Sequence, residues 1–347
     1  MKPTVHDIAA RAGVSLATVD RVLNRRVGVR AATRDRVEAA IGALGYSRDV
    51  AAANLAKGRI YPLTFILPTN DNSFMRDLKT QVEQAAVRSA TERTRIGIVE
   101  VPAFDVPALC DALDAVLADR PFGVAFVAID APEISERADR LAEAGIAMVT
   151  LVSDLSGSAR DHYAGIDNIA AGRTAASLLG RFLNGRSGSI AVLSGSMLVR
   201  DHRERLEGFE AVLTGEFPHL RVLPVLEGRD DPIVAEGVLA GAFAANRDIV
   251  GVYSLGAGNR GLVRALKARA GAKVAVIAHE LTDTTRAALG EGVIDAVLNQ
   301  DAGHEVRSAI RVLKAKADGL AVIAAQERIR LDIFLRDNLP EAGTMGE

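Results

Sequence analysis

The sequence predicts an all-α helix-turn-helix headpiece followed by an α/β body of two doubly wound parallel-sheet lobes. Two patterns carry that reading. Residues 1–60 show only the apolar period of short helices, whereas from Tyr61 onward short apolar runs alternate with amphipathic helical stretches. About ten such runs over roughly 280 residues are more than one open sheet holds comfortably, so the body divides into two lobes.

The headpiece comes first. Thr4 precedes the first periodic stretch and can cap it, with Asp7 placed for the positive helix end, and Val5, Ile8, Ala9 and Ala12 share one face. Gly13 ends that helix, because a tight turn between helices often needs positive φ. Ser15 can cap a second helix to about Asn24, which turns Val19, Val22 and Leu23 inward. A third runs from about Ala32 through Val37, Ala40, Ile41 and Leu44 and stops at Gly45. Three short helices around one apolar face, with a glycine in the turn, make a helix-turn-helix unit of residues 1–47.

In the body, strands are predicted at 63–67, 96–101, 124–129 and 146–152, then at 190–193, 222–226, 249–255, 274–278 and 293–298. Helical patterns at 75–93, 107–119, 133–144 and 170–184 fill gaps between them. The expected division is a linker helix in 48–60 and a body over 61–340. Its first lobe takes about 61–164 and 293–324, and its second about 165–292 and 325–340.

Composition narrows the function classes. With 49% hydrophobic and 25% charged residues the chain is ordinary globular protein, and no run of about 18 uncharged apolar residues is present to span a membrane. The start, MKPTVHDIAARAG, lacks the apolar core and cleavage site of a signal peptide, and the single Cys110 leaves no internal disulfide. A cytoplasmic protein is expected. The net charge of -2 conceals an asymmetry: residues 1–60 hold eleven Lys/Arg against five Asp/Glu, and the remainder 31 against 39. A basic module on an acidic body points to a polyanion as partner of the small module alone. No nucleophile elbow, zinc-protease or Walker A motif occurs, so no enzyme is expected. His6, His162, His202, His219 and His304 have no metal spacing and are read as structural or exposed, and no metal or cofactor is expected.

The segment TVHDIAARAGVSLATVDRVLN, continuing to RVEAAIGALGY, closely resembles the headpiece of the lactose-repressor (LacI/GalR) family, nearly continuously over residues 4–59. The resemblance implies a transcription regulator, most simply a repressor, that binds double-stranded operator DNA as a homodimer. It assigns base reading to Leu16, Ala17 and Arg21, at the outward start of a recognition helix that enters the major groove N-terminus first. Arg21 can grip guanine O6 and N7, while Leu16 and Ala17 offer only apolar contact; alternatively Leu16 packs internally. Ser15, Thr18 and Asn24 can donate to phosphates, and Thr4 joins the same DNA-contacting set. Two positions depart from the family. Asp20 replaces serine and can accept from cytosine N4, orient Arg21 or bond locally; Arg30 replaces a capping serine and gains a possible phosphate contact.

Residues 49–57, DVAAANLAK, resemble the family hinge helix, with Asn54 and Leu55 at its DNA end and Leu55 as the wedge between base steps. The other reading is an ordinary linker helix with Leu55 buried. The body resembles the type I periplasmic sugar-binding fold that the family carries as its effector domain, which makes a sugar or polyol the expected ligand. Clefts of such folds lie at the carboxyl ends of strands. On that basis Asn72 and Phe74 follow the first strand, Asp154 the fourth and Arg205 the fifth, with His279, Glu280, Asn299 and Gln300 late in the chain. His279 departs from the family's usual acid, so Glu280 is the alternative there. The motif GAGNRG at 256–261 is formally a dinucleotide fingerprint, which keeps a nucleotide-binding enzyme or sensor with a DNA-binding head as the rival reading.

Overall fold

The computed structural model describes residues 3–24, 26–46, 58–69, 72–155, 157–269 and 271–341. The chain divides into two compact units, Met1–Arg59 and Ile60–Glu347. The predicted hinge helix, with Asn54 and Leu55, lies outside the described residues.

The first unit is three helices, α1 (Val5–Ala12), α2 (Leu16–Leu23) and α3 (Ala31–Leu44). Thr4 and Asp7 form a capping box at α1, which holds the exposed Asp7 carboxyl below its ordinary range through the Thr4 hydroxyl and backbone. Gly13, at φ 61°, turns the chain by a left-handed cap that a side chain would strain. Ile8, Val19 and Val37 meet in the core, fully buried.

The second unit holds two sheets. The first runs β2-β1-β3-β4-β5, all parallel, from β1 (Tyr61–Thr69), β2 (Thr94–Pro102), β3 (Gly123–Phe126), β4 (Ala147–Leu151) and β5 (His162–Ala164). Helices α4 (Ser73–Ala90) and α12 (Ala302–Ala317) cover one face through Leu78, Val82, Val306 and Leu313. Helices α5 (Val106–Asp119) and α6 (Pro132–Glu143) cover the other through Leu113, Ile134 and Leu141.

The second sheet runs β12-β11-β10-β9-β6-β7, with a short β8 also on β6. Its strands are β6 (Gly188–Ser194), β7 (Leu220–Val222), β8 (Leu226–Glu227), β9 (Ile249–Ser254), β10 (Ala275–His279), β11 (Ala296–Asn299) and β12 (Asp332–Phe334). One face packs on α7 (Asn168–Leu183) and α8 (Arg200–Glu216), the other on α9 (Pro232–Ala245), α10 (Asn259–Ala268) and α11 (Asp283–Gly290). Helices α7 and α8 cross backbone to backbone. A Cβ added at Gly172 would lie 1.9 Å from the Arg205 carbonyl oxygen, and one at Gly208 2.1 Å from that of Ile169.

Three features differ from the sequence reading. The predicted strand at 222–226 is two short strands parted at Pro224, which has no N–H for the ladder. The edge strands β5 and β12, three residues each and β12 antiparallel, carry too little periodicity to predict. The sequence reading puts the strand at 293–298 in the first lobe, yet β11 pairs with β10 in the second sheet; the chain returns only at residues 300–301, and α12 is what packs on the first sheet. Among the described residues no helix is long and apolar enough to cross a membrane.

Candidate functional site

On the three-helix unit, Ser15 caps α2: its Oγ accepts from the Thr18 N–H at 3.3 Å and lies 3.0 Å from the Thr18 hydroxyl. The first turn of α2 then presents Leu16, 42% exposed, with Ala17 and Arg21 also exposed. Leu16 is therefore outward, and the alternative of internal packing is not adopted. Asp20 bonds locally: the Asn24 amide donates to its Oδ1 at 2.7 Å and to its carbonyl at 2.8 Å, with Arg26 at 3.6 Å. Arg30 stands exposed at the N-cap of α3 and makes no side-chain cap bond.

In the second unit, the loops after β1, β2, β3 and β4 face those after β6, β8, β9, β10 and β11 across a cleft of about 50 Å³. The first sheet's wall is almost wholly apolar: Phe74, Met75, Val101, Phe104, Leu109 and Ile129, interrupted by Asn72 and Ser153. The second sheet's wall is polar, with Asp201, His202, Arg205, Asp230, Glu280 and Gln300. Side-chain and backbone contacts tie the walls together, the Asn72 side chain also bonding to Asp230. The Arg200 N–H donates to Ser153 Oγ at 3.1 Å, Asn72 Nδ2 donates to the Gly256 carbonyl at 3.4 Å, and Arg203 pairs with Asp130.

Arg205 is 1% exposed and held on three sides. Its Nε donates to Asn168 Oδ1 at 2.8 Å and its Nη1 to the Leu255 carbonyl at 2.6 Å. Its Nη2 lies 3.5 Å from Glu280 Oε1, an ion-pair distance without a hydrogen bond. Glu280 accepts from the Gln300 N–H at 3.1 Å and side-chain amide at 2.9 Å. Burial pushes its carboxyl up to about 7 against the opposing pull of Arg205 and Gln300. Burial likewise raises Asp230 to about 6, opposed by His202 and Asn72, and holds Glu305, behind the cleft, well above the carboxylate range. His202 Nδ1 sits 2.9 Å from the Ser196 carbonyl, which can only accept, so Nδ1 carries a proton and Nε2 faces Asp201 Oδ2 at 3.7 Å. Asp201, 5% exposed, leaves its Oδ1 without a hydrogen-bond partner.

Of the residues expected from sequence, Asn72, Phe74, Arg205, Glu280 and Gln300 line the cleft. Asn72 also caps α4, accepting from the Phe74 N–H at 2.9 Å. Asp154, His279 and Asn299 do not line it. Asp154 is gripped by Arg160 and by the Thr150 hydroxyl at 2.7 Å; burial alone would raise its carboxyl, and those partners bring it below the usual range. In each late pair the last strand residue, His279 of β10 or Asn299 of β11, turns away from the cleft. His279 meets the Tyr253 hydroxyl at 2.9 Å, with burial holding its imidazole well below the ordinary range, and Asn299 accepts from the Leu281 N–H at 2.9 Å. Their neighbours Glu280 and Gln300 face the cleft.

Sequence reasoning missed Asp201 and Asp230 and misplaced His202, which is 6% exposed and lines the cleft. Asp201 had a signal, since it lies one helical turn before Arg205 on α8. Asp230 did not: it follows Arg229 in a loop where both residues take positive φ, 58° and 52°, a strain invisible in composition. Of the glycines of 256–261, Gly256 lines the cleft, while Gly258 and Gly261 serve packing against α9. A Cβ at Gly261 would come within 2.2 Å of the Pro232 carbonyl, where α10 meets α9.

Residues 4–49 match the family of bacterial regulatory proteins of lacI type, and residues 63–321 match the periplasmic binding protein domain. The chain is 34% identical over 177 residues to the HTH-type transcriptional regulator MalR of Streptomyces coelicolor, over 49% of this chain and 48% of that one. It is 36% identical over 86 residues to catabolite control protein A of Priestia megaterium, 25% of this chain and 26% of that one. The chain thus spans about half the length, or less, of the curated relatives it matches. Two solved folds superpose well. GanP, a glucose-galactose binding protein from Geobacillus stearothermophilus, gives a TM-score of 0.72 at 19% identity, covering 81% of this chain and 99% of that one. A solute-binding protein from Burkholderia graminis in complex with D-arabinose gives 0.73 at 19%, covering 83% and 98%. A lacI-type three-helix head joined to a periplasmic binding protein domain that fills most of the sequence places this chain in the lacI family of bacterial regulatory proteins.

Proposed function

We propose that the protein is a DNA-binding transcription regulator, acting as a homodimer in the cytoplasm, whose operator affinity is set by a small ligand in the cleft. The observation that carries this reading is the first turn of α2, which is capped, rigidly packed from behind and outward-facing at Leu16, Ala17 and Arg21. A helix end of that kind fits a major groove, and a two-fold operator needs two of them. The names of MalR and its relatives support regulation rather than catalysis, and the sugar-binding neighbours support a sugar or polyol class of effector.

Ligand binding then acts through unequal affinity for two lobe arrangements, transmitted through the connecting segment 48–60. Relief of repression is the default sign of that linkage. A gel shift of the full chain on its adjacent promoter tests the reading. Binding is expected to weaken linearly with salt on logarithmic axes, and Arg21→Ala to cost roughly tenfold or more of specific affinity. Absence of salt-dependent binding to any promoter tested would overturn it.

A further inference from the structure

The cleft carries more information about its ligand than the fold does. Its polar wall sets three carboxyls, Asp201, Asp230 and Glu280, against one guanidinium, Arg205, and the imidazole of His202, with a fourth carboxyl, Glu305, buried behind them. Arg205 is already engaged by Asn168, Leu255 and Glu280. The arginines nearby are committed too: Arg160 to Asp154, Arg200 to Glu204 and Arg203 to Asp130. An anionic ligand therefore meets an excess of acid and no uncommitted cation among the described residues of the wall. Asp201 points the other way. It is 95% buried, lines the cleft, and its Oδ1 has no donor from the protein. A buried carboxylate oxygen left in that state is costly until a ligand supplies the hydrogen bond.

Resting on the reading of this cleft as the effector site, we infer that its ligand carries a protonated amine, held against Asp201 and Asp230, on a small body whose apolar face lies on Phe74 and the first sheet's wall. A hydroxyl would satisfy Asp201 Oδ1 but bring no charge to the Asp201 and Asp230 carboxyls, whereas an ammonium supplies both the hydrogen bond and the charge. The opposite wall offers little to the hydroxyls of a fully polar sugar. The Asn72 carbonyl oxygen caps α4 and its amide reaches Gly256, and the Ser153 hydroxyl accepts from Arg200. Aminohexoses, which keep one apolar ring face, and benzylamine both meet these requirements.

The test is calorimetry on the full chain at pH 7.5 with matched sets. Glucosamine, galactosamine and mannosamine are compared with glucose, galactose and mannose, and benzylamine with benzyl alcohol and benzoate. At least one amine is expected to bind tenfold or more tighter than its neutral partner, with benzoate weakest. Asp201→Asn is expected to erase that advantage while leaving the melting temperature within a few degrees, and Asp230→Asn to reduce it. Neutral sugars binding as tightly as the amines, or no binding by any amine, would overturn the inference. In the first case the cleft remains an effector site and only its charge preference falls; whether the chain binds DNA is decided separately by the gel shift.

Discussion

Glu280 shows how a single residue sets a pH dependence. Its carboxyl, raised to about 7 chiefly by burial, holds a proton in the folded chain over a range where the unfolded chain, near the ordinary value of 4.5, has lost it. Its contribution is therefore fully present below about 4.5 and is lost as pH rises through about 7, by on the order of 3 kcal/mol. His279 and His162, whose imidazoles burial holds low, act in the opposite sense below their ordinary value, so the comparison must be with a variant. Denaturant unfolding of the wild type and of Glu280→Gln should give a stability difference that shifts against the wild type between pH 5 and 7.5 and then levels. A difference independent of pH would show an ordinary carboxylate at 280. Residue identity was legible here only in part. The sequence brings His279 and Glu280 to a strand end, but which of the two faces the cleft is set where the chain leaves β10, with Glu280 at φ 68°, a conformation that composition does not announce.

At the scale of elements, the crossing of α7 over α8 positions the charged wall. Gly172 and Gly208 let the two backbones touch, and α8 carries both Asp201 and Arg205. Gly172→Ala would place a methyl 1.9 Å from the Arg205 carbonyl oxygen, so the helices must part. We expect a loss of about 1–3 kcal/mol in chemical denaturation, together with weaker ligand binding, because the displaced turn bears Arg205. Gly215→Ala, near the end of α8 with open space around it, serves as the control and should weaken neither. Most elements could be read from the chain because a strand buried on both faces is a continuous apolar run and a covering helix is amphipathic. The failures have the same physical root: β5 and β12 are three residues long at sheet edges, and Pro224 divides a run that looks continuous.

For the whole molecule, the division into a basic head and an acidic body was legible from composition and motif. The closed state of the cleft was not, because it depends on contacts between residues far apart in the chain. The Arg203–Asp130 pair is one of these, partly exposed and spanning the two walls. Arg203→Ala should let the lobes of the unliganded protein separate more readily. Small-angle scattering is expected to show a larger radius of gyration, and ligand affinity to fall a few-fold, since closure then draws on binding energy. An unchanged radius and affinity would show that the Asn72–Gly256 and Ser153–Arg200 contacts suffice.

The chain passes between the two sheets after β5, again at residues 300–301, and once more between α12 and β12. Neither lobe is consequently a continuous stretch of gene. A recombination event could exchange the head intact, but one that grafted a whole lobe from a relative would have to join two separate segments at once. New ligand preferences in such a protein must instead accumulate by single substitutions at places like Asp201, Asp230 and Glu280, each tested against the same unbroken frame.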